Sequence, residues 1–182
     1  MAGLKGFRMR PATEEDVPEI MEMIKELAVF EKALDEVKAT EDSLRSTLFP
    51  PADSGRAPAA QVVMGEREED GKVSIVGYAL YFDIYSTWTS TGICMHLEDL
   101  FVREAFRGNG IGTAFLTHLA QIAVERKCER LEWAVLDWNQ PAIDFYIGDK
   151  IQAEVLHEWR NVRLAGASLA RLGAPPADSA TA

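Results

Sequence analysis

Arg107-Gly108-Asn109-Gly110-Ile111-Gly112 is the stretch on which the reading of this chain turns. From Ile111 to Lys127 the pattern is helical, with Ala114, Phe115, Leu119, Ile122 and Ala123 on one face. Before it, a strand reads from about Ile93 to Arg103. Glycines at a strand-to-helix junction allow positive φ and let a backbone approach a ligand closely. The helix start adds unpaired N–H groups and the positive end of a dipole. Together these form an anion site suited to a phosphate or pyrophosphate. Arg107 adds a fixed positive charge beside it. A P-loop would need Gly-Lys-Ser/Thr after its glycines, and a dinucleotide fingerprint would need GxGxxG; the chain reads GxGxG and meets neither.

Working back from that turn, Val62 to Arg67 and Val73 to Tyr85 read as strands joined by Glu69-Asp70-Gly71. With Ile93–Arg103 they make an antiparallel meander. Pro50 to Gln61 reads as a loop rich in proline and alanine. A helix carrying Leu44 and Leu48 begins near Thr40. Another places Val17, Ile20, Met21, Ile24, Leu27 and Ala28 on one face, capped by either Thr13 or Asp16. Phe7 to Arg10 is a first strand. Working forward, Leu131–Leu136 reads as a strand and Gln140–Ile147 as a short helix capped by Asn139. Ile151–Leu164 reads as one or two further strands. The order predicts one mixed α/β (α+β) domain over residues 1–172, with a disordered tail over 173–182.

The chain has 182 residues, 19 Lys and Arg, and 29 Asp and Glu, for a net charge of −10. That excess of acid disfavours nucleic acid and accommodates a small cationic ligand. Cys94 and Cys128 form no metal-ligand spacing, so no metal is expected, and they read as core thiols. His96, His118 and His157 are scattered, with no pairing to read. No apolar run reaches the ~20 residues of a membrane span and no signal segment is visible, so a soluble, cytoplasmic protein is expected.

Four stretches carry a resemblance. They are Met23-Ile24-Lys25-Glu26-Leu27-Ala28-Val29-Phe30-Glu31-Lys32, Ile84-Tyr85-Ser86-Thr87-Trp88, His96-Leu97-Glu98-Asp99-Leu100-Phe101-Val102 and Val135-Leu136-Asp137-Trp138-Asn139-Gln140. With the glycine turn they resemble the GNAT superfamily of N-acetyltransferases over roughly Phe7 to Leu164. Within it the chain is similar to the diamine (spermidine/spermine) acetyltransferases, and most to their thialysine Nε-acetyltransferase branch. Polyamine-specific members carry an acid and a proline where this chain has Ser86-Thr87.

The resemblance implies a GNAT fold: a central, mixed, mostly antiparallel twisted sheet, flanked by helices and splayed at a cofactor cleft. It implies acetyl-CoA as co-substrate, a small amine as acceptor and a homodimer as assembly. It also implies residue roles. The backbone at Leu100, Phe101 and Val102 would hold the pantetheine arm. Arg107, Gly108, Asn109, Gly110, Ile111, Gly112 and Thr113 would hold the pyrophosphate, and Asn139 and Ala142 would complete the cofactor site. Tyr146 would be the general acid, and Glu98 would contact the amine or order the water that deprotonates it. Phe30, Glu31, Glu132, Trp133 and Ala134 would line the amine site. After the tyrosine, family members usually carry basic residues and a glycine; this chain reads Ile147-Gly148-Asp149-Lys150.

The chemistry fits these residue types. A tyrosine near pKa ~10 can donate to a thiolate whose acid has pKa ~8.5. A carboxylate near the amine binds the cation and serves as base through water. Strand alternation sends Glu98 and Asp99 to opposite faces unless a bulge intervenes. Trp88 and Trp138 read as packing residues. Two other readings stand beside this one: a protein or peptide N-acetyltransferase of the same fold, and a CoA-binding regulatory module without catalysis.

Overall fold

The period-two patterns of the first half become long strands, and the apolar helical faces cover them. The computed structural model describes residues 4–174. One sheet runs in the order β1 (Phe7–Pro11), β2 (Gln61–Glu69), β3 (Lys72–Tyr85), β4 (Ile93–Val102) and β5 (Leu131–Glu132). The first four strands are antiparallel neighbours, and β5 joins β4 in parallel. The sheet is therefore mixed and mostly antiparallel, and it does not close into a barrel.

Alternation along β3 sends Tyr78 and Leu80 to one face and Ala79 and Tyr81 to the other. On the first face, α1 (Val17–Phe30) and α2 (Glu41–Leu48) bury Val17, Ile20, Met21, Met23, Leu44 and Leu48. On the second, α3 (Ile111–Glu125) buries Ile111, Phe115, Leu116 and Leu119, and α4 (Gln140–Ile147) packs Phe145 and Tyr146 beside it. Each such aliphatic side chain contributes about 1.5–3 kcal/mol.

The two candidate caps of α1 share the work. Thr13 opens a 3-10 turn over Glu14–Asp16, and its N and Oγ1 donate to the Asp16 carboxylate at 2.7 and 3.1 Å. Asp16 is then the N-cap of α1, with Pro18 harmless in the first turn. Thr40 caps α2 by accepting from Ser43 N at 3.1 Å. Arg103 ties α1 to the sheet: its guanidinium donates to Glu19, Glu26 and the Ile75 carbonyl.

The C-terminal half departs from the pattern reading in two places. The strand expected over Leu131–Leu136 is only Leu131–Glu132, because the chain leaves β4 after two residue pairs. No strand forms over Ile151–Leu164. A strand needs an edge to pair with, and the two-residue β5 offers almost none. A helix not foreseen, α5 (Gly166–Leu172), follows. Of the tail expected over 173–182, residues 175–182 lie outside the described residues.

Candidate active site

The site begins where β4 and β5 part. They pair at Met95–Leu131 and His96–Glu132 and nowhere further. From Leu97 to Val102, β4 has no strand on that side among the described residues. The N–H of Arg103 donates to Val76 on β3, so alternation turns the N–H and C=O of Leu100 and Val102 to the open edge. Phe101, between them, turns its backbone to β3 instead. Of the three residues expected to offer backbone to a cofactor arm, Leu100 and Val102 turn theirs to the open edge.

The glycine turn lies at the end of that open edge. Gly108 and Gly110 both hold positive φ, at 76° and 83°, and Gly110 is the N-cap of α3. A β-carbon at either would meet nothing, so it is the backbone conformation that calls for glycine. The N–H groups of Ile111, Gly112 and Thr113 open the helix and have no intrahelical partner. The Asn109 amide donates to the carbonyls of Phe106 and Arg107, which fixes the turn from within. Arg107 does not extend over the glycines. Its Nε donates to the Val102 carbonyl at 2.7 Å, and its guanidinium stacks 5.2 Å from the Phe30 ring and 5.6 Å from the Phe101 ring.

The acidic groups gather one step up β4. Leu80 faces Asp99 across the β3–β4 pair while Tyr81 faces Leu97, so Glu98 is the extra residue of a bulge. The bulge reverses the alternation. Leu97 and Leu100 pack on the α3 side, whereas Asp99 reaches the Tyr78 hydroxyl on the α1 side, 3.0 Å away. Glu98 reaches the same side, 3.6 Å from Nε2 of His96. Both carboxylates therefore share one face, unlike the expectation from plain alternation. Burial pushes Asp99 up to about 6; the Tyr78 bond opposes this, and the charges of Glu98 and Glu31 add to it. Burial also raises Glu31, at the C-terminal end of α1. Tyr78 is raised well above an ordinary phenol by burial and by Asp99.

Tyr146 stands on α4, which starts at Asn139; the Asn139 side chain caps it by accepting from Ala142 N at 3.4 Å. The Tyr146 ring lies edge-on to Trp133, with centroids 5.1 Å apart. Burial raises its phenol, and Glu31 raises it further, so it is protonated at neutral pH. Tyr146, Glu132, Trp133, Ala134 and His96 line a cleft of ≈ 1090 Å³. Glu132 pairs with Arg130 at 2.8 Å. Phe30 lies across the fold at the tip of α1, 6.0 Å from the Trp138 ring.

Two side-chain readings need correction. Trp88 is not a packing residue: it is 80% exposed and meets Trp159 at the mouth of the cleft, whereas Trp138, 47% exposed, packs against Phe30 and Lys32. His96, read as unpaired, is the neighbour of Glu98. Their i, i+2 spacing on a strand was the available signal.

Residues 21–148 match the acetyltransferase (GNAT) family. The chain belongs to this family and is an acetyltransferase. It is 40% identical over 139 residues to a thialysine N-epsilon-acetyltransferase of Mus musculus, spanning 76% of this chain and 80% of that one. It is 36% identical over 143 residues to a spermidine/spermine N(1)-acetyltransferase-like protein 1 of Homo sapiens, spanning 77% of this chain and 20% of that one. Among solved structures it is similar to an integron cassette protein from the mobile metagenome of V. cholerae. That likeness has a TM-score of 0.69 at 25% identity and covers 92% of this chain and 97% of that one. GNAT acetyltransferases use acetyl-CoA as co-substrate, and the open β4 edge beside a turn of helix N–H groups without intrahelical partners fits its amide-bearing arm and its pyrophosphate.

Proposed function

We propose that this protein transfers acetyl from acetyl-CoA to a primary amine of a small cationic substrate, a thialysine-type amino acid first and a diamine or polyamine second. The bulge at Glu98 carries the reading. It turns Glu98 and Asp99 to the side of Glu31, so three carboxylates attend a site beside the open strand edge. A small ammonium compound is the acceptor such a group favours.

Leu100 and Val102 offer backbone N–H and C=O to the pantetheine arm, with Phe101 packed behind them. The turn from Gly108 to Thr113 takes the pyrophosphate, and Asn139 and Ala142 close the site at the head of α4. Arg107 joins the pyrophosphate by leaving Val102. Phe30, Glu31, Trp133, Ala134 and Glu132 bound the amine.

At neutral pH only about one alkyl amine in a thousand is unprotonated. Glu98 holds the ammonium and takes its proton through a water. The freed lone pair attacks the thioester carbonyl, Tyr146 gives its proton to the departing thiolate, and the second proton that the nitrogen sheds restores the phenol. Burial suits Tyr146 to this, since it is protonated when the reaction begins.

A competition assay tests the substrate class. Thialysine, lysine, spermidine, putrescine and a basic peptide are offered together with acetyl-CoA, and products are separated by mass. Acetylated thialysine in excess, with diamines next, is the expected result. Predominant acetylation of the peptide would favour the protein-acetyltransferase reading. No product from any amine, with acetyl-CoA still bound, would favour the regulatory module.

A further inference from the structure

Acetylation of an ammonium compound yields an amide, a thiol and one free proton. The nitrogen loses two protons, the thiol keeps one, and the other must reach solvent. Glu98 is half-exposed, and in the functional reading above the bound amine covers that exposed side. A carboxylate that has accepted a proton under bound substrate needs a second group to pass it on.

His96 is the group in that position. Its Nε2 lies 3.6 Å from the Glu98 carboxylate, a gap that one short side-chain movement closes to a hydrogen bond. The imidazole is held by Phe82, its partner across the β3–β4 pair, with ring centroids 5.2 Å apart. From β5, Glu132 sits opposite it in register, and Arg130 is paired to that carboxylate. His96 also lines the large cleft, which Tyr146 and Glu154 share. It therefore touches the base on one side and open solvent on the other, and Phe82 keeps it in place.

We propose that His96 is a positioning residue and proton outlet for Glu98. It accepts on Nε2 the proton that Glu98 has taken from the amine, releases it to water in the cleft, and returns Glu98 to its charged form for the next turnover. No electron moves and no bond other than N–H and O–H is made or broken. This rests on the functional reading above, in which Glu98 is the base.

The test compares wild type with His96→Gln, which keeps a polar side chain without a titrating ring, and His96→Phe, which keeps the stack on Phe82. The second variant supplies the result if the first does not fold. The expected result is a fall in kcat of about 10–100-fold near neutral pH, with KM for acetyl-CoA little changed. The rate of each variant then rises with the concentration of imidazole buffer, and the pH profile of kcat changes shape. Unchanged kcat and pH profile in both variants would overturn the proposal. So would a fall that no buffer restores, since that is the mark of lost packing against Phe82. Wild-type activity is read first: a wild type that acetylates no amine overturns the functional reading itself, a result distinct from either.

Discussion

Asp99 shows how much one residue's placement decides. Its carboxyl titrates at about 6 when folded, against an ordinary 3.8, because it is buried beside Tyr78 with Glu98 and Glu31 near. The folded chain thus binds this proton more tightly than the unfolded chain. The stability this adds is full below about 3.8 and is lost as pH rises through about 6. Asp99→Asn removes that loss. Urea unfolding should find the variant more stable by ~2 kcal/mol above pH ~6, with the gain vanishing near pH ~4. Equal midpoints at both pH values would show that the carboxyl is not strained by its surroundings. The sequence made Glu98 legible through its motif but misplaced its neighbour. Plain alternation separates adjacent residues, and nothing in Leu97-Glu98-Asp99-Leu100 announces the bulge that brings them together. Nor did composition reveal that Trp88 is a surface residue; apolar type says only that burial is favourable, not that a neighbour exists to supply it.

At the scale of elements, what was legible is what local signals determine. Asn139 and Pro141 fixed α4 to its observed bounds, and the glycines fixed the start of α3. The chain beyond Ile147 was misread because strand formation depends on a partner, and the partner edge is absent from local sequence. Val155 and Trp159 line the cleft instead of filling a sheet. The α3 entrance gives a prediction of its own. Gly110→Ala meets no steric neighbour but must hold φ near 83°. Chemical denaturation should record a loss of about 1–2 kcal/mol, the cost of a left-handed residue with a β-carbon. Calorimetric titration should also find weaker acetyl-CoA binding, since the turn is displaced. Full stability with full affinity would remove the turn from the cofactor site.

Over the whole molecule, the negative charge is offset locally by a polar seam on the first two strands. Arg10 donates to Asp16 at 2.7 Å and to Glu66 at 2.6 Å, and Arg8 reaches Glu66 from its other oxygen. Arg10 lowers Asp16; at Glu66, burial pushes the other way, but the two arginines overcome it and hold the carboxyl below the usual range. Lowered acids carry the opposite sign from Asp99: their stability is present above the ordinary carboxylate pKa and lost as pH falls through the lowered values. Arg10→Met should cost about 2–3 kcal/mol at neutral pH by leaving Glu66 buried beside a single exposed arginine. That cost should shrink below pH ~3 as both carboxyls take protons. Thermal melts across pH measure it, and a constant difference would deny the pairing. The central claim concerns the opposite edge of the sheet, where β4 and β5 part. The direct measurement is thiol release from acetyl-CoA with thialysine, made on wild type and Tyr146→Phe, with acetyl-CoA affinity determined for each. The account predicts that Tyr146→Phe keeps its affinity and loses about 100-fold or more in kcat. Equal turnover by the two proteins would contradict it and take Tyr146 out of the chemistry.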